Sequence, residues 1–198
     1  MPSSGLKLVA GLGNPGAGYA DTRHNAGFWF ADRVAAAFGA SFKAQSRFGG
    51  EVAEVAVGGD RLLVLKPQSF MNKSGGPTQS LAAYYRIEPQ QILVAHDELD
   101  LPPGTVRLKR GGGHGGHKGL RDLHRCLGAD YARLRIGIGH PGTKDQVLDY
   151  VLGRPSRADD GAIRDAVDDG LRALETVLRD GWDAAMKQLH TNRDAAAR

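Results

Sequence analysis

The chain has 198 residues, with 41% hydrophobic residues, 24% charged residues and a formal net charge of +4. These values are ordinary for a globular protein, and the apolar runs fall far short of the ~20 residues that a membrane span needs. The first residues lack the long apolar core of a signal peptide, and a single cysteine, Cys126, excludes an internal disulfide. We therefore expect one cytoplasmic domain with no membrane partner.

Charge is distributed unevenly along the chain. Residues 1–154 carry 19 Lys/Arg against 13 Asp/Glu, whereas residues 155–198 carry 7 against 9. A basic body followed by a slightly acidic segment indicates a polyanionic partner, and an ordinary charged surface is the alternative. Composition alone does not decide between the two.

Strand-like and helix-like segments alternate along the first three quarters of the chain. Short apolar or alternating runs predict strands at 6–10, 51–57, 61–66, 92–95, 105–109 and 134–138. Helix-typical segments lie at 27–38, 77–86, 120–127 and 145–152. The turn Gly58-Gly59-Asp60 predicts a β-hairpin, which adds an antiparallel pair. This order predicts an α/β fold in which helices cover a mixed sheet.

A long amphipathic helix is predicted beyond Pro155. Ser156 followed by Asp159 resembles a capping box. Apolar residues then recur at steps of four and three: Ile163, Val167, Leu171, Leu174 and Leu178. Gly181 interrupts this pattern, so we expect a short helix up to Leu189 and a frayed tail over residues 191–198.

A glycine-rich loop follows the first predicted strand. Residues 11–16 match the spacing of a dinucleotide-binding motif, which requires a helix that starts at its end. Pro15 lies inside the motif, and the next predicted helix begins only near Gly27. A nicotinamide-dependent oxidoreductase is therefore a weakly supported alternative. The loop better suits a close approach of backbone amides and of Asn14 to a substrate.

A histidine and an aspartate are candidates for acid–base chemistry. His24 lies in a polar run between the glycine-rich loop and a predicted helix, and Asp97 follows the predicted strand at 92–95. If the strands that precede them are neighbours, Asp97 can accept a hydrogen bond from His24 and fix its tautomer. The other ring nitrogen is then available as a base. A solvated loop histidine is the competing interpretation.

The segment at 114–117 carries two histidines that could chelate zinc. A metal site needs a third ligand, and neither H-E-x-x-H nor C-x-x-C occurs, so we expect no metal and no cofactor. Basic residues surround the segment: Arg107, Lys109, Arg110, Lys118, Arg121 and Arg125. They favour neutralisation of phosphates, and a solvated basic face is the alternative.

Covalent catalysis has little support in the sequence. No G-x-S-x-G motif is present, and Cys126 lies late in a predicted helix. Water is therefore the expected nucleophile if the chain is a hydrolase. The amides of Asn14 and Asn72 are candidates to orient that water or to stabilise an oxyanion. Tyr19 lies in a loop, where a base or sugar could pack against it.

Six segments resemble the bacterial peptidyl-tRNA hydrolase family and occur in the family's order. They are 11–16 (GLGNPG), 22–27 (TRHNAG) with Tyr19, 66–75 (KPQSFMNKSG), 96–100 (HDELD), 111–120 (GGGHGGHKGL) and 135–141 (RIGIGHP). The resemblance implies a single-domain, three-layer α/β/α enzyme with a twisted mixed sheet. It implies a monomer without an obligatory protein partner, which hydrolyses the ester between a peptide and the 3′-terminal ribose of tRNA.

The resemblance also implies roles for individual residues. By the family's pattern His24 is the general base and Asp97 orients it, while Asn14 and Asn72 bind the peptide and the 3′-terminal region. Further residues are expected to contact the substrate or the acceptor stem of the tRNA: Tyr19, Met71, Arg107, Lys109, His117, Lys118 and Arg135. The helical region at about 155–190 resembles the family's mobile cover over the cleft.

Lys118 departs from the family pattern, which commonly has an asparagine at this position. A lysine has three donors and no acceptor, and its charge would disfavour a protonated His24 if the two lie close. We expect it to contact a phosphate or the substrate carbonyl. A non-catalytic RNA-binding protein, a relative that acts in organellar splicing, and a metallohydrolase remain as alternatives.

Overall fold

A seven-stranded mixed sheet forms the centre of the molecule. The computed structural model describes the backbone of residues 4–196 and the side chains of residues 4–191. The strands are β1 (Leu8–Gly11), β2 (Lys43–Gln45), β3 (Gly50–Val57), β4 (Asp60–Pro67), β5 (Ile92–Glu98), β6 (Val106–Arg110) and β7 (Ala132–Gly137). The helices are α1 (Ala26–Ala37), α2 (Gly75–Tyr84), α3 (Lys118–Leu127), α4 (Val147–Val151), α5 (Arg157–Asp180) and α6 (Trp182–Ala196).

The strand order is β2-β3-β4-β1-β5-β7-β6. Strands β4, β1, β5 and β7 run parallel, whereas β2 and β3 at one edge and β6 at the other pair antiparallel. The predicted hairpin is confirmed, with Val57 paired to Asp60 at its turn. The predicted mixed sheet is confirmed as well.

Helices cover both faces of the sheet because successive strand residues point to opposite sides. On β1, Val9 belongs to a core formed with α1, α5 and α6, whereas Leu8 and Ala10 belong to a second core with α2 and α3. All three side chains are fully buried. Burial of a valine or leucine side chain stabilises the fold by about 1.5–3 kcal/mol. Two cores on one sheet give the predicted α/β/α layers.

Several elements differ in extent from the sequence-based expectation. Strand β5 continues to Glu98 rather than ending at residue 95, because pairing with β7 persists up to Glu98 opposite Gly137. Strand β2 was not predicted, since it has only three largely exposed residues and depends on its pairing with β3. Helix α2 begins at Gly75, whose amide donates to the Asp122 carboxylate at 2.8 Å.

The C-terminal helices pack against the sheet. The Ser156 hydroxyl accepts a hydrogen bond from the Asp159 amide at 3.1 Å, which confirms the predicted start of α5. The apolar face of α5 lies in the same core as α1. Helix α6 extends to Ala196, beyond the predicted end at Leu189, so residues 191–196 are helical where a frayed tail was expected. Residues 197–198 lie outside the described range. That residues 155–190 cover the cleft stays a prediction.

Helix α1 approaches the ends of β1 and β5 more closely than a side chain would allow. A Cβ atom on Gly27 would lie 2.4 Å from the Ala95 carbonyl oxygen and 2.5 Å from the Leu12 nitrogen. A Cβ atom on Gly11 would lie 2.2 Å from the Gly27 carbonyl oxygen. Two glycines therefore let the start of α1 rest directly on the sheet, and His24 lies two residues before that start.

Substitution Gly27→Ala should destabilise the protein. The added methyl group would push α1 away from β1 and β5, and such overpacking costs about 1–3 kcal/mol. Urea denaturation should show a lower free energy of unfolding. Gly161→Ala is the matched control, because Gly161 is exposed on α5 and a Cβ there meets nothing within 4 Å. This substitution should stabilise the helix by about 0.5–1 kcal/mol. Equal stability of Gly27→Ala and the unaltered protein would contradict the tight contact.

Candidate active site

A buried carboxylate at the end of β5 binds two histidines. The Oδ2 atom of Asp97 lies 2.8 Å from His24 Nδ1, and its Oδ1 atom lies 2.8 Å from His117 Nε2. Asp97 is 3% exposed and His24 9% exposed. His24 belongs to a short 3₁₀ turn, Arg23–Asn25, which leads into α1, and His117 is the residue before α3. Three elements therefore converge on one carboxylate, and the predicted His24–Asp97 pair is present.

The hydrogen bonds fix which ring nitrogens carry protons. His117 Nδ1 accepts from the amides of Gly119 and Leu120 at 3.1 and 3.3 Å, so its proton lies on Nε2 and is donated to Asp97. His24 Nδ1 faces the other carboxylate oxygen and donates to it. The Nε2 atom of His24 therefore carries a lone pair, and it has no hydrogen-bond partner among the residues that the structure describes.

The electrostatics of the site follow from this arrangement. Burial alone would raise the pKa of the Asp97 carboxyl, but the charges and hydrogen bonds of His24 and His117 hold that pKa far below its usual range. For His24, burial lowers the pKa, while the charge and hydrogen bond of Asp97 raise it and the charge of Lys118 lowers it. The net result is a pKa for His24 above its ordinary value.

Hydrogen bonds to Asn25 and Met71 fix the backbone and the side chain of Asn14. The Asn14 amide nitrogen donates to Asn25 Oδ1 at 2.9 Å, and Asn25 Nδ2 donates back to the Asn14 carbonyl at 3.0 Å. The Asn14 side-chain oxygen accepts from the Met71 amide at 2.7 Å. Its Nδ2 donor is therefore oriented and has no partner among the described residues. The sequence did not single out Asn25, although it lies in one of the resembling segments.

The remaining predicted substrate contacts lie around the same loop. Met71 is buried, whereas Asn72 is exposed on the short 3₁₀ turn Met71–Lys73. Phe70 is 56% exposed and meets the ring of Tyr19 at 6.3 Å between centroids. A hydrogen bond thus joins Asn14 to Met71. Asn72 is the next residue along the chain, and Tyr19 contacts Phe70, the residue before Met71.

A cavity of about 680 Å³ is lined by His24 and His117. Its apolar wall comes from Val147, Leu148 and Val151 around α4. Arg23, the neighbour of His24, ties α4 to the site, because its Nη1 donates to the Tyr150 carbonyl at 2.9 Å and its guanidinium lies 3.9 Å above the Tyr150 ring. The cavity wall formed by α4 is therefore anchored to the turn that carries His24.

Three of the predicted basic residues, Arg107, Lys109 and Arg135, lie on one face of the β6–β7 ladder. Arg107 pairs with Arg135, and Lys109 pairs with Arg133, so that these four side chains share the face opposite the core residues of both strands. Lys109, Arg133 and Arg135 line the cavity together with Lys118. Arg135 Nε donates to Glu98 Oε1 at 2.8 Å. Burial alone would raise the pKa of Glu98, but the hydrogen bond and charge of Arg135 lower it.

Arg133 and His96 were not identified from the sequence. Arg133 is 2% exposed and donates to three backbone carbonyls: those of Gly112, Gly113 and Ala129. His96 is buried next to His117, with ring centroids 5.2 Å apart, and burial together with the charge of His117 lowers the pKa of His96 to about 4. An alternating strand pattern does not reveal that an inward arginine holds a loop, and adjacency to Asp97 was the only signal for His96.

Comparison with known proteins decides the family. The family model described as peptidyl-tRNA hydrolase matches residues 8–197. A peptidyl-tRNA hydrolase of Edwardsiella ictaluri is 51% identical over 193 residues, or 96% of this chain and 98% of that protein. One of Acidithiobacillus ferrooxidans is 55% identical over 186 residues, or 93% and 98%. The crystal structure of the enzyme from Acinetobacter baumannii matches with a TM-score of 0.91, 42% identity and 96% coverage of both chains.

The chain belongs to the peptidyl-tRNA hydrolase family. Hydrolysis of peptidyl-tRNA is the function of that family, so the resemblance found in the sequence is confirmed. The dinucleotide-binding alternative loses its structural requirement, because the glycine-rich loop leads into turns and α1 begins only at Ala26. No helix in the described part of the chain has the length and apolar character to span a membrane.

The site of this family member also contains a possible set of metal ligands. The nearest nitrogen or oxygen atoms of His24, Asp97 and His117 all lie within 4.8 Å of one another. In the hydrogen-bonded arrangement both imidazoles present N–H groups to Asp97, whereas a metal ion would require lone pairs at the same atoms. The two hydrogen bonds account for the geometry. His114 points elsewhere and accepts from the Gly116 amide at 3.0 Å, so it does not pair with His117.

Substitution Lys118→Asn, which restores the residue common in the family, should raise the pKa of His24. Lys118 is exposed at the start of α3, and its charge lowers that pKa. NMR titration of the His24 ring protons measures the midpoint directly, without substrate. Arg121→Gln, one turn further along α3, is the control and should leave the midpoint unchanged. A midpoint that falls or stays constant in Lys118→Asn would show that Lys118 does not act on His24.

Proposed function

We propose that this chain hydrolyses the ester bond between a peptide, or an N-blocked aminoacyl group, and the 3′-terminal ribose of tRNA, with His24 as the general base. The observation that carries the proposal is the free Nε2 atom of His24, whose Nδ1–H is donated to the buried Asp97. A base needs a lone pair, a fixed orientation and a counter-charge for the cation that it becomes. His24 has all three.

The chemistry requires only modest catalytic power because an aminoacyl ester is already activated. His24 Nε2 takes a proton from water as the oxygen attacks the ester carbonyl, and the resulting imidazolium is stabilised by Asp97. The proton is then available for the 3′ oxygen of the ribose as that group leaves. General-base catalysis of this type typically contributes about 10²–10⁴-fold. No step in this sequence requires a metal or a cofactor.

The amides of Asn14 and Asn72 are proposed to bind the substrate and to place the water. Asn14 is preorganised, since its side-chain oxygen accepts from the Met71 amide, while its Nδ2 donor has no partner among the described residues. Preorganised donors stabilise charge that develops in the transition state. Asn72 is exposed next to Met71 and provides a second amide, while Tyr19 and Met71 line the same region.

A role inside the protein is proposed for His117 beside the predicted contact with the substrate. It was expected to contact the substrate, but both of its ring nitrogens are engaged within the protein, one by Asp97 and the other by the amides that begin α3. We propose that His117 orients Asp97. A substrate contact would then come from its backbone or from a rearranged side chain, and that prediction stays untested.

The basic face is proposed to hold the acceptor stem and its terminal phosphate. Lys109, Arg135 and Lys118 line the cavity that adjoins His24, and Arg107 lies on the same face of β6. Such contacts position a nucleic acid without reading its sequence. A monomer in the cytoplasm, with residues 155–190 as a cover, completes the proposal.

Substitution His24→Ala should lower turnover of N-acetyl-aminoacyl-tRNA by about 10²–10⁴-fold, the contribution of a general base. Binding of tRNA should persist, because the basic face is untouched. Release of a labelled aminoacyl group measures turnover, and a parallel assay in chelator tests the metal-free mechanism. Retained turnover in the variant would remove His24 from the role of base. If the unaltered protein binds tRNA but releases nothing, a non-catalytic RNA-binding function replaces the proposal.

Substitution Lys109→Ala should weaken tRNA binding and reduce the slope of log affinity against log salt concentration by about one, as expected when one phosphate contact is lost. Binding titrations at several salt concentrations measure both quantities. Lys187 is exposed on α6, so Lys187→Ala is the control and should change neither quantity. An unchanged slope for Lys109→Ala would return the basic face to an ordinary solvated surface.

A further inference from the structure

Arg133 is a buried cation that the proposed reaction does not use. It lies on β7, is 2% exposed, and its guanidinium packs 4.6 Å above the ring of Tyr131. Its Nη1 donates to the Gly113 carbonyl, and its Nη2 donates to the Gly112 carbonyl at 2.6 Å. Because an arginine keeps its charge even when buried, it needs hydrogen-bond acceptors there; Nη1 and Nη2 of Arg133 have them, whereas Nε has no hydrogen-bond partner among the described residues. Here the acceptors are supplied by a loop rather than by a carboxylate.

His124 holds the same loop from the other side. Its Nε2 atom lies 3.0 Å from the Gly112 carbonyl, while its Nδ1 atom lies 2.8 Å from both the Leu120 carbonyl and the Tyr131 hydroxyl. The Gly112 carbonyl is thus bound from β7 and from α3. Gly112 has φ +111 and Gly116 has φ +81, so this stretch depends on glycine and would be mobile in the absence of such contacts.

The loop ends at the residue that binds Asp97. The His117 amide donates to the His114 carbonyl at 3.0 Å, which closes the turn directly after the clamped glycines. His117 then caps α3 with Nδ1 and donates to Asp97 with Nε2. The chain of contacts runs from Arg133 through the two glycine carbonyls and His117 to Asp97, and from Asp97 to His24.

We propose that Arg133 is a positioning residue: by holding the carbonyls of Gly112 and Gly113 it keeps His117 on Asp97, and so sets how much of the Asp97 charge acts on His24. The role in catalysis rests on the proposed function, whereas the effect on His24 does not. Around His24, the charged and titratable groups of the described residues are Asp97 on β5, with His117 and Lys118 at the start of α3 and His96 behind His117.

The direction of the effect follows from the hydrogen bonds. His117 donates to Asp97 and thereby stabilises part of its negative charge. When His117 is released, that charge is compensated mainly by His24, so protonated His24 is favoured and its pKa rises. Less free base is then present at neutral pH, and the acid limb of the pH–rate profile moves to higher pH.

The test is a double-mutant cycle of Arg133→Met and His117→Ala. Each single variant should raise the NMR titration midpoint of His24 and should lower kcat by about 10- to 150-fold, the factor for one hydrogen bond to a charged group, with KM little changed. The double variant should lose no more than the more damaging single variant. Losses that multiply, or a midpoint that does not move in Arg133→Met, would overturn the proposal.

Two further variants keep the outcome decisive. Val177→Ala creates a cavity in the core on the other face of the sheet, and it should lower the melting temperature while leaving the His24 midpoint and kcat unchanged. If it reproduces the effects of Arg133→Met, loss of stability explains them and the proposal fails. His124→Phe keeps the ring against Tyr131 but removes the Gly112 contact, so it should shift the midpoint upward by a smaller amount even if Arg133→Met does not fold. An unshifted midpoint in His124→Phe would also contradict the proposed role of the contacts that hold the Gly112 and Gly113 carbonyls.

The NMR midpoint separates this proposal from the proposed function, because it requires no turnover. If the midpoint rises in Arg133→Met but the unaltered protein releases nothing from tRNA, the positioning role of Arg133 is supported and hydrolysis is rejected. Normal hydrolysis by Arg133→Met with an unmoved midpoint would do the reverse.

Discussion

The site depends on a carboxylate that is buried and nevertheless charged. An ionised side chain in the interior costs several kcal/mol unless hydrogen-bond donors surround it. Asp97 receives one N–H group on each oxygen, from His24 on the side of α1 and from His117 at the start of α3. The two helical layers are thus joined across the end of β5 by a single residue. The tautomers of both histidines follow from this one requirement, and with them the lone pair on His24.

Such convergence is possible only because the backbone comes close enough at that edge of the sheet. Gly11 and Gly27 allow α1 to rest on β1 and β5, and Gly119 leaves room for Met71, whose sulfur would lie 2.6 Å from a Cβ at that position. A side chain at any of these positions would move a helix by a few tenths of an ångström or more. A hydrogen bond is sensitive to shifts of that size, so these glycines belong to the site although they carry no chemistry.

The sequence predicted the parts of this arrangement that depend on local pattern. Alternating strands and helices gave the α/β class, and polar residues after two apolar strands predicted that His24 and Asp97 would meet. The role of His117 could not be predicted, because it depends on which amides begin α3 and on the distance across the sheet end. Arg133 was missed for a similar reason: its partners are the backbone carbonyls of a loop 20 residues away in sequence, and carbonyls leave no sequence pattern.

The pKa of His24 is set by opposing influences that come from different elements. Burial and Lys118 favour neutral His24, whereas Asp97 favours its protonated form. A general base works best when its pKa lies near the operating pH, so under the proposed mechanism neither influence on His24 can dominate without loss of rate. Lys118 does not serve helix stability, since a cation in the first turn opposes the helix dipole by about 0.3–1 kcal/mol. Lys118 lines the same cavity as His24, and its charge lowers the pKa of that histidine.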